Sequence, residues 1–445
     1  MLESLTDQLL DAARRAGALE AEAIAMRGHS LSVDVRGGRL EQAERAESVD
    51  VGLRVLIGGR QAIVSGTNHS SEALDEMAHR AVAMAREAPV DDTLGLAEAS
   101  QLATDRDISR LELNDPAVDP GPSELEQAAL LAEAAALGVA GVSVVESAGA
   151  GFQRRETLIA ASNGFSGRSE RSSHGVFCTA ISGEGLRMER DYAGESRIHA
   201  ADMPAPAEIG ALAGTRAAER AGARKPPTGA FPVLYDERVA AGLIGHIIAA
   251  INGVSIARGS SWLRDAMDTA ILPEALTITE QPHLPRMPAS RLFDAEGLAT
   301  APRAIIDSGV LRGWLLDLST ARKLGFESTA NAVRGLSSPP GPGVSNIVLS
   351  GGTGVRGDLI AEMGRGLVVT SLLGASINPT TGDYSRGASG FWVENGEISH
   401  PVNECTIAGN LRDMLRTARA ADDARDWRSH RVPSLLIEGM TVAGA

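Results

Sequence analysis

A proline–glycine break near the middle of the chain most constrains how the chain can fold. Residues 223–229 read Ala-Arg-Lys-Pro-Pro-Thr-Gly, and two consecutive prolines cannot continue the alanine-rich helix predicted over about 207–222. An apolar strand and an apolar helix are predicted directly after the break, over 231–251. The 445 residues therefore divide into an N-terminal domain, 1–222, and a C-terminal domain, 229–445.

Within the N-terminal domain, periodicity predicts both strands and helices. Apolar residues alternate with polar ones over 31–35 and 49–55, which is typical of half-buried strands. The dipeptides at 58–59 (Gly-Gly) and 163–164 (Asn-Gly) predict hairpin turns. The stretch 90–122 is polar and rich in proline, so we expect a connecting segment there that could also mark a sub-boundary.

The C-terminal domain is dominated by short β-like runs. Examples are 303–307, 345–349 and 367–370. The predicted fold class is α+β, with an N-terminal α/β region of mixed sheet and helices and a C-terminal β-rich region with antiparallel sheet. A capping box at Ser123 and Glu126 predicts the start of one N-terminal helix.

Charge balance and cysteine count exclude several functional classes. The chain has 42 Lys and Arg against 57 Asp and Glu, a net charge of −15, whereas general nucleic-acid binding needs clustered cations. Two cysteines exclude a disulfide framework and fit the reducing cytoplasm. The residues soon after Met1 include acids, which argues against a signal peptide. The most apolar stretch, 242–257, is too short to span a membrane. We expect a cytoplasmic protein without nucleic-acid or membrane partners.

Motifs for cofactor and metal binding are weak. Residues 352–357 match the dinucleotide fingerprint Gly-x-Gly-x-x-Gly, but Asp358 at the following helix start would repel phosphate. A glycine-rich turn with Asp358 capping the helix is the simpler interpretation. His246 lies on an apolar helix without a second ligand at helical spacing, which favours a core or pocket histidine.

The two cysteines do not form an evident reactive site. Cys178 lies in an apolar strand pattern, which favours a buried, inert thiol. His400 and Glu404 are close to Cys405 in sequence, but a strand would point Cys405 away from both. The Glu404 charge is expected to raise the pKa of the Cys405 thiol.

A long C-terminal segment resembles a known family signature. Residues 378–398 read Asn-Pro-Thr-Thr-Gly-Asp-Tyr-Ser-Arg-Gly-Ala-Ser-Gly-Phe-Trp-Val-Glu-Asn-Gly-Glu-Ile, and residues 406–414 read Thr-Ile-Ala-Gly-Asn-Leu-Arg-Asp-Met. Both are similar to the TldD/PmbA metalloprotease family, specifically its PmbA (TldE) branch. Segments 162–165, 338–343 and 433–444 fit the same family, so the resemblance covers essentially the whole chain.

The resemblance implies a metalloprotease of two related subunits, of which only the TldD-type subunit carries His-Glu-x-x-x-His and a later Cys. Laid on this sequence, the helical motif falls on Gly245, His246 and Ala250, and the later Cys falls near Leu411. Gly, Ala and Leu cannot bind zinc, and a histidine cannot act as the carboxylate base. We therefore expect no catalytic residue, metal ligand or cofactor in this chain, with zinc held by a TldD-type partner.

The implied function is that of a non-catalytic subunit in a TldD/TldE-type heterodimer. The family degrades unfolded or flexible peptides, such as leader peptides and antitoxins, and is linked by name to DNA gyrase. At a net charge of −15, an indirect proteolytic route explains that link better than DNA binding. A stand-alone homodimer that binds peptides without cleaving them, and an autonomous hydrolase with an unrecognised site, are the alternatives. The physiological substrate stays open.

Six polar or small residues are candidates for the substrate or partner surface. Ser385, Arg386 and Gly387 are expected to shape a loop at the chamber, and Asn410, Arg412 and Asp413 to lie where the sister subunit places its Cys. Turn formation and surface ion pairing explain these residues equally well.

Overall fold

The computed structural model describes residues 1–444, except for the side chain of Leu186. The helices are α1 (Leu2–Ala16), α2 (Ser71–Glu87), α3 (Pro122–Leu137), α4 (Pro206–Glu219), α5 (Glu237–Ala250), α6 (Gly253–Ala257), α7 (Leu318–Leu324), α8 (Arg356–Met363) and α9 (Leu411–Arg416). The strands are β1 (Glu20–Arg36), β2 (Arg39–Leu56), β3 (Gln61–Gly66), β4 (Val142–Ala161), β5 (Ser166–Ser182), β6 (Glu189–Arg197), β7 (Gly229–Tyr235), β8 (Thr277–Glu280), β9 (Arg303–Asp307), β10 (Val310–Leu311), β11 (Ala332–Val333), β12 (Gly341–Pro342), β13 (Ile347–Ser350), β14 (Gly366–Ile377), β15 (Asp383–Glu394), β16 (Glu397–Asn410), β17 (Arg419–Ala420), β18 (His430–Arg431) and β19 (Leu435–Ala443). These elements confirm the α+β class. Within the described residues, no helix is both long and apolar enough to cross a bilayer.

The first six strands form one sheet in the order β3-β2-β1-β4-β5-β6. Every pair of adjacent strands in this sheet is antiparallel, in contrast to the mixed sheet predicted for this region. The reason is that tight turns at 37–38, 58–59 and 163–164 return the chain beside the strand it has just left, with glycines at positive φ in each. The hairpins predicted at 58–59 and 163–164 are confirmed.

One face of this sheet carries two pairs of helices. Helices α1 and α2 pack over one end of the sheet, and α3 and α4 pack over the other. Between the pairs lies a cleft of about 750 Å³ whose floor carries charged side chains, among them Arg27, Arg154 and Glu156. Buried apolar side chains thus pack the helix pairs onto the two ends of the sheet, while the surface of the sheet between them is polar.

Six C-terminal strands form a curved sheet in the order β16-β15-β14-β7-β19-β17, and β16 also pairs with β19. This extra pairing closes five of the strands into a barrel. Strands β7 and β14 are parallel, whereas the other pairs in this sheet are antiparallel, as predicted. The barrel core includes the fully buried Tyr235 and Trp392. A second sheet, β10-β9-β8-β13-β18, and the pair β11–β12 complete the region.

The two regions meet across a buried ion triad. Nη1 of Arg334, from the loop after β11, lies 3.3 Å from Oε2 of Glu22 on β1. Nη1 of Arg54 on β2 lies 2.6 Å from the same oxygen, and the three side chains are at most 3% exposed. A Cβ on Gly52 would lie 2.3 Å from the carbonyl oxygen of Leu336, so the loop packs directly against the sheet.

Buried carboxyl groups lie close to this triad. The Glu296 carboxylate accepts the Leu318 amide at 2.8 Å, and Asp294 accepts three backbone amides. Burial, together with the charges of Asp294 and Asp317, holds the pKa of Glu296 well above that of an exposed glutamate. Burial also raises the pKa of Asp294. Both groups therefore keep their protons to higher pH than they would in the unfolded chain.

The connecting segment, residues 88–121 between α2 and α3, packs against both regions. Leu96 and Leu111 of this segment are buried in one cluster with Phe165 from the N-terminal sheet and Phe293 from the C-terminal region. The rings of Phe165 and Phe293 meet edge to face with centroids 5.3 Å apart. The segment is therefore part of the folded core at the junction.

Candidate functional site

Helix α5 carries the three positions onto which the family's helical motif falls: Gly245 and Ala250 at the metal ligands and His246 at the carboxylate base. Asp236 caps this helix by accepting the Arg238 amide at 3.2 Å. Ala250 lies on the buried face of the helix. At Gly245 an added Cβ would meet no atom within 4 Å, so the open face of α5 has space beside it.

His246, the next residue, is half-buried against Tyr384 of β15. Their ring centroids lie 5.7 Å apart at an interplanar angle of 74°. The Tyr384 hydroxyl also interacts with that of Tyr235, which donates to Sδ of Met440 at 3.5 Å. Side chains from α5, β7, β15 and β19 thus meet in one aromatic cluster.

Electrostatics keep this cluster uncharged except for Arg386. Burial, and secondly the positive charge of Arg386, lowers the pKa of His246, so the imidazole is neutral at pH 7. Burial raises the pKa of Tyr384, which keeps its phenol protonated. The cluster can therefore donate and accept hydrogen bonds but offers no carboxylate base.

The three candidate residues on β15 lie in the barrel wall rather than in a loop. Ser385 pairs with Ser376 on one side and Ala408 on the other. Nε of Arg386 donates to the carbonyl oxygen of Gly374 at 2.7 Å, which braces β14 against β15. The expectation that these residues shape a loop is wrong, because β15 runs from Asp383 to Glu394 beside β16 and includes all three.

The side chain of Asn410 links the start of β15 to the start of α9. Its side chain caps α9 by accepting the Arg412 amide at 3.1 Å and donates to Oδ1 of Asp383 at 3.0 Å. Arg412 donates to the carbonyl oxygen of Trp262, and Asp413 is exposed in the first turn of α9. Asn410 therefore makes turn contacts, and its role at a substrate or partner surface stays a prediction.

The positions related to metal ligands share one connected core. Ser261 donates to the Ala250 carbonyl at 2.6 Å. The next residue, Trp262, packs against Gly382, and the Gly382 carbonyl accepts the Leu411 amide at 2.8 Å. Leu411 is fully buried there. Sequence reasoning did not single out Tyr235, Tyr384 or Trp262, although Tyr384 lies inside the signature segment.

The residues present do not fit a metal ion. Gly245, Ala250 and Leu411 carry no donor atom, and His246 alone supplies one ligand where zinc needs at least three from the protein. Within residues 1–444, no three His, Cys, Asp or Glu side chains are grouped closely enough to hold a metal.

Two sequence interpretations of other motifs are settled by local geometry. Asp358 accepts the Val355 amide at 3.3 Å, which confirms the capped turn at the glycine-rich motif. Burial raises the pKa of Cys405 to about 11 and that of Cys178 to about 12, so both thiols are inert. Glu404 is exposed and pairs with Lys225, so burial, not Glu404, raises the pKa of Cys405.

Three domain models of one family match most of the chain. The PmbA/TldA metallopeptidase domain 1 matches residues 21–85, the central domain matches 115–224, and the C-terminal domain matches 228–444. The chain belongs to the PmbA/TldD metallopeptidase family. Its resemblance to the PmbA branch is confirmed by the metalloprotease PmbA of Escherichia coli O157:H7, which is 37% identical over 95% of this chain and 92% of its own length. The PmbA homolog of Haemophilus influenzae is 35% identical over 98% and 94%.

Solved structures of other proteins share this architecture. A protein described as a candidate modulator of DNA gyrase from Bacteroides thetaiotaomicron superposes with a TM-score of 0.91 at 26% identity, covering 100% of this chain and 99% of that one. TldE from Thermococcus kodakarensis superposes with a TM-score of 0.83 at 19% identity, over 99% and 100%, and shows the common fold.

Replacing Asn410 with alanine is expected to destabilise the protein by about 1–2 kcal/mol, because a helix cap and the contact to Asp383 are lost together. Denaturant unfolding would measure the change. Asp413→Ala in the same helix turn is the matched control, and it should lose less than about 1 kcal/mol. An equal fall in the free energy of unfolding in both variants would contradict the role of Asn410 in linking β15 to α9.

Proposed function

We propose that this chain is the non-catalytic subunit of a TldD/TldE-type heterodimeric metalloprotease in the cytoplasm. The observation that carries the proposal is the donor-poor site: an aromatic cluster around His246 and Tyr384 lies where the family resemblance relates the chain to metal ligands. A TldD-type partner would supply the zinc and the carboxylate base. This chain would complete the chamber and help hold unfolded or flexible peptides, such as leader peptides and antitoxins.

A free sheet edge next to this cluster supports a role in holding peptide. Strand β14 pairs with β7 only over Leu367–Val369, and no other described strand pairs with that side of β14 from Thr370 to Ile377. Leu373 in this stretch is 79% exposed. An extended peptide can add to such an edge through backbone hydrogen bonds, which give affinity without demanding a particular sequence.

Co-expression with a TldD-type subunit tests the proposal. We expect bound zinc and peptide cleavage only in the mixed complex, and loss of cleavage on chelation. Robust cleavage by the purified single chain, unaffected by chelators, would contradict the proposal and favour the autonomous hydrolase. Tight peptide binding by this chain alone, with no mixed complex, would favour the peptide-binding homodimer.

A variant of Arg386 tests the role of the β14 edge inside that complex. Arg386→Ala removes the donor that braces the Gly374 carbonyl, so we expect about a tenfold fall in kcat/KM of the mixed complex, mainly through KM. The zinc content should not change. Arg419→Ala, which removes an exposed arginine paired with Glu362, is the control and should retain full activity. If the KM of the Arg386→Ala complex is unchanged, the proposed role of the β14 edge in substrate binding is wrong.

A further inference from the structure

A cleft of about 490 Å³ lies where helix α4 of the N-terminal region faces the C-terminal barrel. Helix α4 lines one side of it, and the first turns of α5 and α8 line another. Strands β14, β15 and β16 contribute Thr370, Phe391 and residues 398–401. Neither His246 nor Tyr384 lines the cleft, so it is separate from the aromatic cluster.

Three arginines line this cleft, one from each helix: Arg216 from α4, Arg238 from α5 and Arg356 from α8. Two of them share the Asp236 carboxylate, whose Oδ1 lies 3.1 Å from Nε of Arg238 and whose Oδ2 lies 3.0 Å from Nη2 of Arg356. Nη1 of Arg238 also lies 3.2 Å from Oδ1 of Asp191. In the described part of the chain, Arg216 forms no ion pair. The third guanidinium therefore lacks a counter-ion.

The remaining carboxylates at the cleft do not neutralise Arg216. Glu237 pairs with Arg425, and Glu219 is exposed at the rim. Nη1 of Arg216 donates instead to the Tyr192 carbonyl oxygen at 3.0 Å. Burial lowers the pKa of Arg216, as expected for a partly buried cation, but a guanidinium stays protonated at pH 7. The cleft therefore has a positive charge that a bound anion would balance.

Two buried atoms at the cleft lack a hydrogen-bond partner among the described residues. They are Oγ1 of Thr370, a residue that is 5% exposed, and Nε of Arg356. Both atoms can donate a hydrogen bond. Burying a donor without an acceptor costs free energy, and such a group in a folded protein calls for a partner that binds there. An oxygen anion in the cleft would accept from these donors.

The rim of the cleft is apolar. Leu212 of α4 and Ile398 of β16 are large apolar side chains that are exposed, and Phe391 lines the same cleft. Binding sites for small ligands typically combine apolar walls with a few fixed polar groups. The ligand that fits this cleft therefore carries an oxygen anion next to an apolar group.

The cleft also lies at the beginning of the open β14 edge. The Asp236 amide donates to the Val369 carbonyl at 3.0 Å, and no described strand pairs with this edge from Thr370 onward. A strand antiparallel to β14 would run from beside Ile377 to beside Thr370. Its carboxyl end would then lie next to the arginines, whereas a parallel strand would bring its positive amino end there. The charges favour the antiparallel direction.

We propose that this cleft binds the terminal carboxylate of a peptide that ends in an apolar residue, and so holds the peptide antiparallel to β14. The carboxylate accepts hydrogen bonds from Arg216, Arg356 and the Thr370 hydroxyl. The last side chain of the peptide lies between Leu212 and Ile398. That the anion belongs to a peptide rests on the proposed function, whereas the donors of the site are residues of this chain.

Binding to the single chain tests the proposal without a cleavage assay. The probe is an unstructured peptide that ends in leucine and carries fluorescein at its amino end, and fluorescence anisotropy measures its affinity. The free acid should bind about tenfold more tightly than the same peptide with a terminal amide, because only the acid places an anion against the arginines. Equal affinities would overturn the proposal but would leave zinc-dependent cleavage by the mixed complex, the test of the proposed function, unaffected.

Two variants locate the site. Thr370→Val keeps the shape of the side chain but removes the unpartnered hydroxyl, and Arg356→Gln removes one cation. Each should weaken binding of the free acid by about fivefold or more, with little effect on the amide. The melting temperature of Thr370→Val should not fall, because the hydroxyl has no partner in the free protein. Arg14→Gln, at an exposed arginine on α1, is the control and should bind both peptides unchanged.

Two results in these assays would overturn the proposal. Unchanged binding of the free acid in both variants would place the carboxylate elsewhere on the protein. N-Acetylleucine has the same carboxylate and side chain but no strand that could pair with β14, so it should compete only weakly. Competition by N-acetylleucine as strong as that of the unlabelled peptide would show that the β14 edge does not hold the ligand.

Discussion

Replacing Glu22 with alanine is expected to lower the free energy of unfolding by about 3–5 kcal/mol, because two buried guanidinium groups lose their shared counter-ion. The side chains of Arg54 and Arg334 are almost fully buried, so water solvates their charges poorly where they lie. The effect should also loosen the junction, since Arg334 belongs to the C-terminal loop and Glu22 to the N-terminal sheet. Guanidinium unfolding monitored by tryptophan fluorescence and by circular dichroism would measure it.

Asp11→Ala provides the matched comparison, because it removes a carboxylate from an ion pair in which both partners are exposed. We expect a change of less than about 1 kcal/mol there. A similarly small change in Glu22→Ala would show that the triad relaxes into solvent, and would contradict the tight packing at Gly52.

Stability is expected to fall as pH rises above the ordinary carboxyl range, because of Glu296 and Asp294. The pKa values of both groups are raised by burial from 4.5 and 3.8, so the folded protein binds more protons than the unfolded chain above those values. Stability is full below the unfolded values and is lost as pH rises through the folded ones. The slope should approach about 1.4 kcal/mol per pH unit for each excess proton.

Glu296→Gln separates this effect from all other titrations. The amide oxygen of glutamine can still accept the Leu318 hydrogen bond, but the side chain no longer has to ionise. Denaturant unfolding from pH 5 to pH 8 should therefore show a shallower loss of stability in the variant than in the unmodified protein. Glu274→Gln, at an exposed carboxylate, should follow the unmodified protein. Parallel curves for Glu296→Gln and the unmodified protein would contradict a buried, protonated Glu296.

Local patterns were enough to predict the local elements. The apolar helix predicted within 231–251 is α5, Glu237–Ala250, because its apolar composition is readable from sequence. The start of helix α3 was predicted less accurately. The Glu124 carboxylate accepts the Gly121 amide at 2.7 Å, so the helix begins two residues before the predicted capping box at Ser123 and Glu126, since Pro122 can occupy the first turn. Strands β1 and β2 extend well beyond their predicted alternation, because pairing supports polar residues that periodicity cannot identify.

Contacts between distant residues could not be predicted from one sequence. Arg334 and Glu22 lie 312 positions apart, and no local pattern relates them. The same holds for Tyr235 and Tyr384, which meet because β7 and β15 enclose the same barrel core. The family resemblance located the candidate site, but its aromatic character emerged only from the packing of four elements.

The connecting segment has a consequence for synthesis on the ribosome. Leu96 leaves the exit tunnel about 200 residues before Phe293, with which it is buried in the finished protein. At a translation rate of about 5–20 residues per second, this interval lasts roughly 10–40 s. During that time we expect the N-terminal region to expose the apolar surface that Leu292 and Phe293 later cover, so this cluster is completed only after the C-terminal region has been synthesised.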